Sequence, residues 1–157
     1  MRELLFATTN PGKLNEAKNF LGKEGITVLG LKDFLNITIV EETGNTFEEN
    51  AVLKAKGYFE QTHVPCIGDD GGLMIDALGG TPGVHSKRFL GREGTSIEFA
   101  EAILEKLQDV PKEKRTAHLG GVLAFWNGKQ IFVSENWVDG YIADSLMSEP
   151  IEGIPYR

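Results

Sequence analysis

The chain reads as a single α/β domain built on a mixed sheet. Short apolar runs alternate with capped, amphipathic helical segments early in the chain, and two long strand-like segments flank an Asn127-Gly128 turn near its end. At 157 residues there is room for one hydrophobic core and little for a second. No internal repeat, low-complexity tract or Pro/Ser-rich linker interrupts the chain, so one continuous domain over 1–157 is expected.

Glu3 to Ala7 is a short apolar strand, followed by turn residues Thr8-Thr9-Asn10-Pro11-Gly12 and a helix from about Lys13 to Leu21. Asn10 suits the helix cap and Pro11 the first helical position. Ile26 to Leu29 and Ile37 to Val40 read as further strands. Phe47, Ala51, Ala55, Tyr58 and Phe59 recur at helical spacing, predicting a helix from Phe47 to about Gln61, with Thr46 and Glu49 as a T-x-x-E capping box. Cys66 to Gly68 and Leu73 to Ala77 read as strands around a tight loop, Asp69-Asp70-Gly71-Gly72. Gly79-Gly80-Thr81-Pro82-Gly83 is a rigid turn. Thr95 and Glu98 cap a helix carrying Phe99, Ile103, Leu104 and Leu107. Ala117 to Trp126 and Gln130 to Val138 form a hairpin whose Asn-Gly turn favours type I′ geometry.

Composition narrows the function. Apolar residues make up 41% and charged residues 25%, an ordinary globular balance. A formal net charge of −7 argues against a nucleic-acid binder, which needs a basic surface to displace counterions. It leaves a nucleotide substrate open, because a few local lysines and a carboxylate-held metal suffice for a triphosphate. The apolar runs Leu4-Leu5-Phe6-Ala7 and Val122-Leu123-Ala124-Phe125-Trp126 fall far short of the roughly 20 residues of a membrane span. Met1-Arg2-Glu3 precedes too short an apolar run for a secretory signal. With Cys66 as the one thiol, no internal disulfide can form, and a cytoplasmic location is expected.

Three constellations could do chemistry. At the strand-to-helix junction Thr8 to Lys13, backbone N–H groups and the helix dipole favour a phosphate, and Lys13 adds a full charge. The spacing is not that of a P-loop, and an ordinary capped turn with a solvated lysine fits the same residues. The acids Glu41, Glu42, Glu49, Asp69 and Asp70 offer the hard oxygens that magnesium prefers. Glu49 is accounted for by its cap, and Glu41-Glu42 equally suits a solvated pair. Adjacent Asp69 and Asp70 repel by about 4 kcal/mol at 4 Å and an effective dielectric near 20, a cost that a nearby cation reverses. Lys54, Lys56, Lys87 and Arg88 form the basic set, although helix-surface lysines are usually just solvated. Cys66 lies in an apolar strand, and His63, His85 and His118 lack metal-ligand spacing, so thiol and histidine-metal chemistries find no support.

The motifs Ala7-Thr8-Thr9-Asn10-Pro11-Gly12-Lys13, Glu41-Glu42-Thr43-Gly44-Asn45-Thr46-Phe47-Glu48-Glu49-Asn50-Ala51 with Lys54, and Asp69-Asp70-Gly71-Gly72-Leu73 with Asp76-Ala77-Leu78-Gly79-Gly80 and Pro82-Gly83-Val84 closely resemble the inosine triphosphate pyrophosphatase family. The resemblance implies an α/β fold whose long, mixed, twisted sheet and flanking helices form two lobes around a nucleotide cleft, assembled as a homodimer. It implies hydrolysis of non-canonical purine nucleoside triphosphates to monophosphate and pyrophosphate, with Mg2+ as cofactor. By the same resemblance Thr8, Thr9, Asn10, Pro11, Gly12 and Lys13 hold the triphosphate with Lys54, Gly71 contacts substrate, Glu41 and Asp70 hold the metal, and Asp70 accepts the proton of the attacking water. Two departures stand out. Gly71 replaces a family serine, and Glu152 to Arg157 ends the chain where relatives have a Gly-Phe-Gly-Tyr-Asp-like base-pocket motif and a later Ser-His-Arg element. A chain shortened at its C-terminus is therefore expected. A nucleotide-binding module with reduced turnover, or a pyrophosphohydrolase with another base preference, are the alternative expectations.

Overall fold

The computed structural model describes residues 2–91 and 94–146, apart from the side chains of residues 86–88. Its elements are β1 (Arg2–Ala7), α1 (Pro11–Leu21), β2 (Ile26–Leu29), α2 (Phe47–Thr62), β3 (Cys66–Ile75), β4 (Thr81–Pro82), α3 (Ser96–Lys106), β5 (Thr116–Trp126) and β6 (Ile131–Tyr141), with short 3₁₀ turns between several of them. The strands form a six-stranded mixed sheet of order β2-β1-β3-β5-β6, with β4 paired to β3. β1 runs parallel to β2 and β3, whereas β4 is antiparallel to β3. Among the described residues no helix is long and apolar enough to cross a membrane.

The chain divides into two compact units, 1–70 with 121–135, and 71–120 with 136–157. In the first, Leu5, Ala7, Tyr58 and Cys66 make a buried core, against which Leu31, Phe34, Ile37, Val40, Phe59 and Val64 pack. In the second, Leu73, Ile75, Ile103, Leu107 and Ala117 form the core, flanked by Leu78, Phe89, Phe99, Val110 and Ile142. At about 25 cal/mol per Å² of apolar surface removed from water, such clusters are the main favourable term of each unit.

Two close approaches depend on glycine. A Cβ on Gly68 would lie 2.0 Å from the Ala51 carbonyl oxygen and 2.7 Å from the Ala55 nitrogen, so only a glycine lets α2 rest on β3 here. A Cβ on Gly120 would meet the Asn136 carbonyl oxygen at 2.0 Å, which fixes a similar approach between β5 and β6.

Four local expectations are corrected. Ile37 to Val40 is not a strand: its backbone is satisfied by α2 side chains, with Thr38 N donating to Gln61 Oε1 at 2.7 Å, Gln61 Nε2 donating to the Thr38 carbonyl at 3.0 Å, and Val40 N donating to the Tyr58 hydroxyl at 3.3 Å. Asp69 to Gly72 is not a loop but the middle of β3, whose glycines continue the strand. Glu49 does not close a capping box on Thr46; its Oε2 accepts from Asn45 N, one residue earlier, while Thr46 Oγ1 accepts from Glu49 N. The hairpin turn spans 127–130 rather than two residues. Asn127 Oδ1 there accepts from Lys129 N and Gln130 N, and Gly128 alone in it has positive φ, whereas type I′ needs two such residues. The C-terminal stretch Glu152 to Arg157 lies outside the described residues.

Candidate active site

Parallel strands bind ligands at their carboxyl ends where the connections diverge. β1 is such a strand: α1 leads from it to β2 on one side, and β3 pairs on its other side. The register Ala7↔Gly68 places Thr8 and Asp69 immediately beyond the last paired residues of β1 and β3.

At the end of β1, Thr8 Oγ1 accepts from Asn10 N at 3.1 Å, which shapes the turn into α1. Asn10 caps the helix, its Oδ1 accepting from Gly12 N at 2.9 Å and Lys13 N at 3.3 Å, and Pro11 occupies the first turn. The expectation of open backbone donors is thus modified. Gly12 and Lys13 spend their N–H groups on the cap, leaving the helix dipole and the Lys13 ammonium as the attraction for an anion. That ammonium donates to Asp69 Oδ2 at 2.6 Å, across 56 residues of sequence.

Lys54 is the second cation. It projects from the face of α2 that packs on β3, and its side chain is only 10% exposed. A buried ammonium costs several kcal/mol unless it is compensated. Here Glu42 Oε1 accepts from it at 2.9 Å and Asp70 Oδ1 lies at 3.6 Å. Successive strand residues point to opposite faces, so Asp69 and Asp70 separate, and each finds its own lysine. The repulsion inferred from their adjacency is relieved by this alternation before any metal enters.

Of the predicted residues, the structure thus joins Thr8, Asn10 and Lys13 in one turn, tied to Asp69, and pairs Lys54 with Asp70. Thr9, Pro11 and Gly12 are exposed at the same turn, and Gly71 continues β3 half-buried. Glu41 is exposed, and it is Glu42 that faces Lys54. No sequence signal separates the two acids, because the segment has no regular structure over 40–44 and bends at Asn45, and the choice is made by Lys54 on α2. Buried Asn50, not singled out from the sequence, accepts from Gly44 N at 2.8 Å and holds this segment against α2. Lys56 lies over the Trp126 ring at 5.2 Å and takes no part. The Lys87 and Arg88 side chains lie outside the described residues.

A profile of the Ham1 family matches residues 4–150. The chain belongs to the Ham1 family. Among its relatives, the dITP/XTP pyrophosphatase of Geobacillus kaustophilus is 43% identical over 150 residues, 95% of this chain and 74% of that protein. The dITP/XTP pyrophosphatase of Bacillus subtilis is 40% identical over 150 residues, 95% of this chain and 76% of that protein. The HAM1 protein of Coxiella burnetii superposes with a TM-score of 0.88 at 32% identity, over 98% of this chain and 79% of that one. The Staphylococcus aureus Ham1 protein gives 0.85 at 32% identity, over 98% and 78%. These likenesses extend across the mixed α/β fold that carries the centre.

A separate cavity of about 570 Å³ lies at the opposite ends of the parallel strands, lined by Arg2, Leu4, Ile26, His63, Pro65 and Phe125 among others. Its lining is mostly apolar and contains none of the paired acids and lysines, so it is not the chemical centre.

Proposed function

We infer that the protein is a nucleoside triphosphate pyrophosphohydrolase. It converts non-canonical purine nucleotides, of the dITP and XTP kind for which its relatives are named, to the monophosphate and pyrophosphate. The observation that carries this reading is a pair of lysine–acid sets built on adjacent residues of β3 just past the carboxyl end of β1: Lys13 with Asp69, and Lys54 with Glu42 and Asp70. A triphosphate requires fixed cations along its oxygens, and attack at the α-phosphorus requires a base that orients water in line.

Magnesium is the proposed cofactor. The donor chemistry fits, since the Glu42 and Asp70 carboxylates converge on Lys54, and magnesium takes one or two carboxylates with phosphate oxygens and waters. Asp70 is a proposed ligand together with an acid of the 41–42 segment, Glu41 by the family resemblance or its neighbour Glu42, whose carboxylate shares the Lys54 ammonium with Asp70. When bound, the ion acidifies a water and neutralises phosphate charge. Asp70 accepts the proton of the attacking water, Lys13 and the start of α1 hold the polyphosphate, and Lys54 balances Asp70 and the developing charge. Thr8, Thr9, Asn10, Pro11, Gly12 and Gly71 shape the walls. The enzyme is further proposed to be a cytoplasmic homodimer, a single domain over 1–157, with no nucleic-acid or membrane partner.

The test is product identity. With magnesium and a panel of standard and deaminated triphosphates, monophosphate plus pyrophosphate is expected, fastest for deaminated purines. Diphosphate plus orthophosphate contradicts the reaction, and tight binding without turnover assigns a nucleotide-binding module instead.

A further inference from the structure

We propose that Asp69 is a positioning residue that tethers the Lys13 ammonium to β3, so that a triphosphate meets a lysine already oriented. The inference rests on the pyrophosphohydrolase reading and gives the first of the two adjacent acids a role separate from that of Asp70.

The anchor and the tethered group differ in freedom. Asp69 stands on a strand with its side chain 12% exposed, whereas Lys13 is on the first turn of α1 with its side chain 45% exposed. A lysine left loose there carries many rotamers, and freezing them on binding costs affinity. The 2.6 Å bond removes that freedom before the ligand arrives. An ammonium has three donors, so one held by Asp69 leaves two for phosphate oxygens, and the acid need not be displaced. Strand alternation turns Asp69 away from Asp70 and Lys54, so its link to the centre runs through Lys13.

A double-mutant cycle tests the tether. Asp69→Ala, Lys13→Ala and the double variant are compared with the native protein in KM and kcat for dITP with magnesium, and in Kd for the α,β-imido analogue of inosine triphosphate. Asp69→Ala is expected to raise KM and Kd about tenfold with a smaller change in kcat, and to have no further effect once Lys13 is alanine. Asp69→Glu, whose carboxylate still reaches the exposed lysine, is expected to recover part of KM. Asp69→Asn, which keeps size and removes charge, serves if the alanine variant does not fold. An equal loss from Asp69→Ala in both backgrounds overturns the tether, because it means that Asp69 acts directly or only through the fold. A native protein that binds the analogue but forms no pyrophosphate from dITP removes the reaction reading, and the Kd cycle then still decides the tether. A native protein that binds no triphosphate removes both.

Discussion

Lys54 shows how one side chain can serve stability and chemistry together. Its ammonium is compensated by Glu42 and Asp70, and removing it takes the shared cation from between those two carboxylates. Lys54→Ala is expected to lower stability by about 1–3 kcal/mol, less than for a fully buried pair because Glu42 keeps solvent contact. Magnesium should restore more stability to this variant than to the native protein, read as the larger rise in unfolding midpoint; equal rises in both remove the cation from this centre. Asp70→Asn should fold normally and lose about 10²–10⁴ in turnover, the range for a lost general base. Native rates in that variant take Asp70 out of the mechanism. Cys66 is a counter-example of a reactive side chain made inert: burial pushes its thiol up to about 12, so a disulfide reagent should label it only on unfolding. In the second unit, His118 Nδ1 lies 2.7 Å from Asp139 Oδ1, and its Nε2 lies 3.3 Å from Asp76 Oδ1. The Asp139 bond chiefly, and the Asp76 charge, raise His118 above 6.5, while the Thr116 hydroxyl chiefly, and His118, lower Asp76 below 3.8. The histidine's stabilisation is therefore whole below pH 6.5 and lost as pH rises through its raised value. That of Asp76 is present above pH 3.8 and lost as pH falls through its lowered value. His118→Gln should flatten the first limb of the midpoint-against-pH curve, and an unaltered limb places that titration elsewhere.

Among elements, the contact of α2 with β3 is the one that sets the centre. Gly68 allows it, and Gly68→Ala forces a methyl into the Ala51 carbonyl, so a destabilisation of about 1–3 kcal/mol or more is expected in denaturant unfolding, together with lost turnover as Lys54 moves from Asp70. A variant of native stability would mean that the helix yields without cost. The helices were legible in the sequence because caps and period are local: Asn10 with Pro11, Thr46, and the Thr95–Glu98 box each appear where the residues place them. What local reading lost was decided by distant partners. The segment 37–40 has strand-like residues, yet Tyr58 and Gln61 of α2 take its backbone groups. Gly71-Gly72 has loop-like residues, yet the pairing of β3 keeps them extended. The same limit governs the site. Lys13, Lys54 and Asp70 could be named from motifs, whereas the Asp69–Lys13 bond and the choice of Glu42 over Glu41 as the Lys54 partner arise only when β1, β3 and α2 come together.

For the molecule as a whole, a net charge of −7 opposes a polyanionic substrate at long range, so the proposed capture relies on the local lysines and the proposed magnesium rather than on the general field. The family likeness covers nearly the whole of this chain and about three quarters of the relatives' length, and the paired acids and lysines fall within one compact unit. The central claim is that water, activated at Asp70, attacks the α-phosphorus and expels pyrophosphate. Hydrolysis of dITP in ¹⁸O-labelled water with magnesium tests it most directly: the label is expected in the nucleoside monophosphate with unlabelled pyrophosphate, and label in pyrophosphate, or release of orthophosphate, contradicts it.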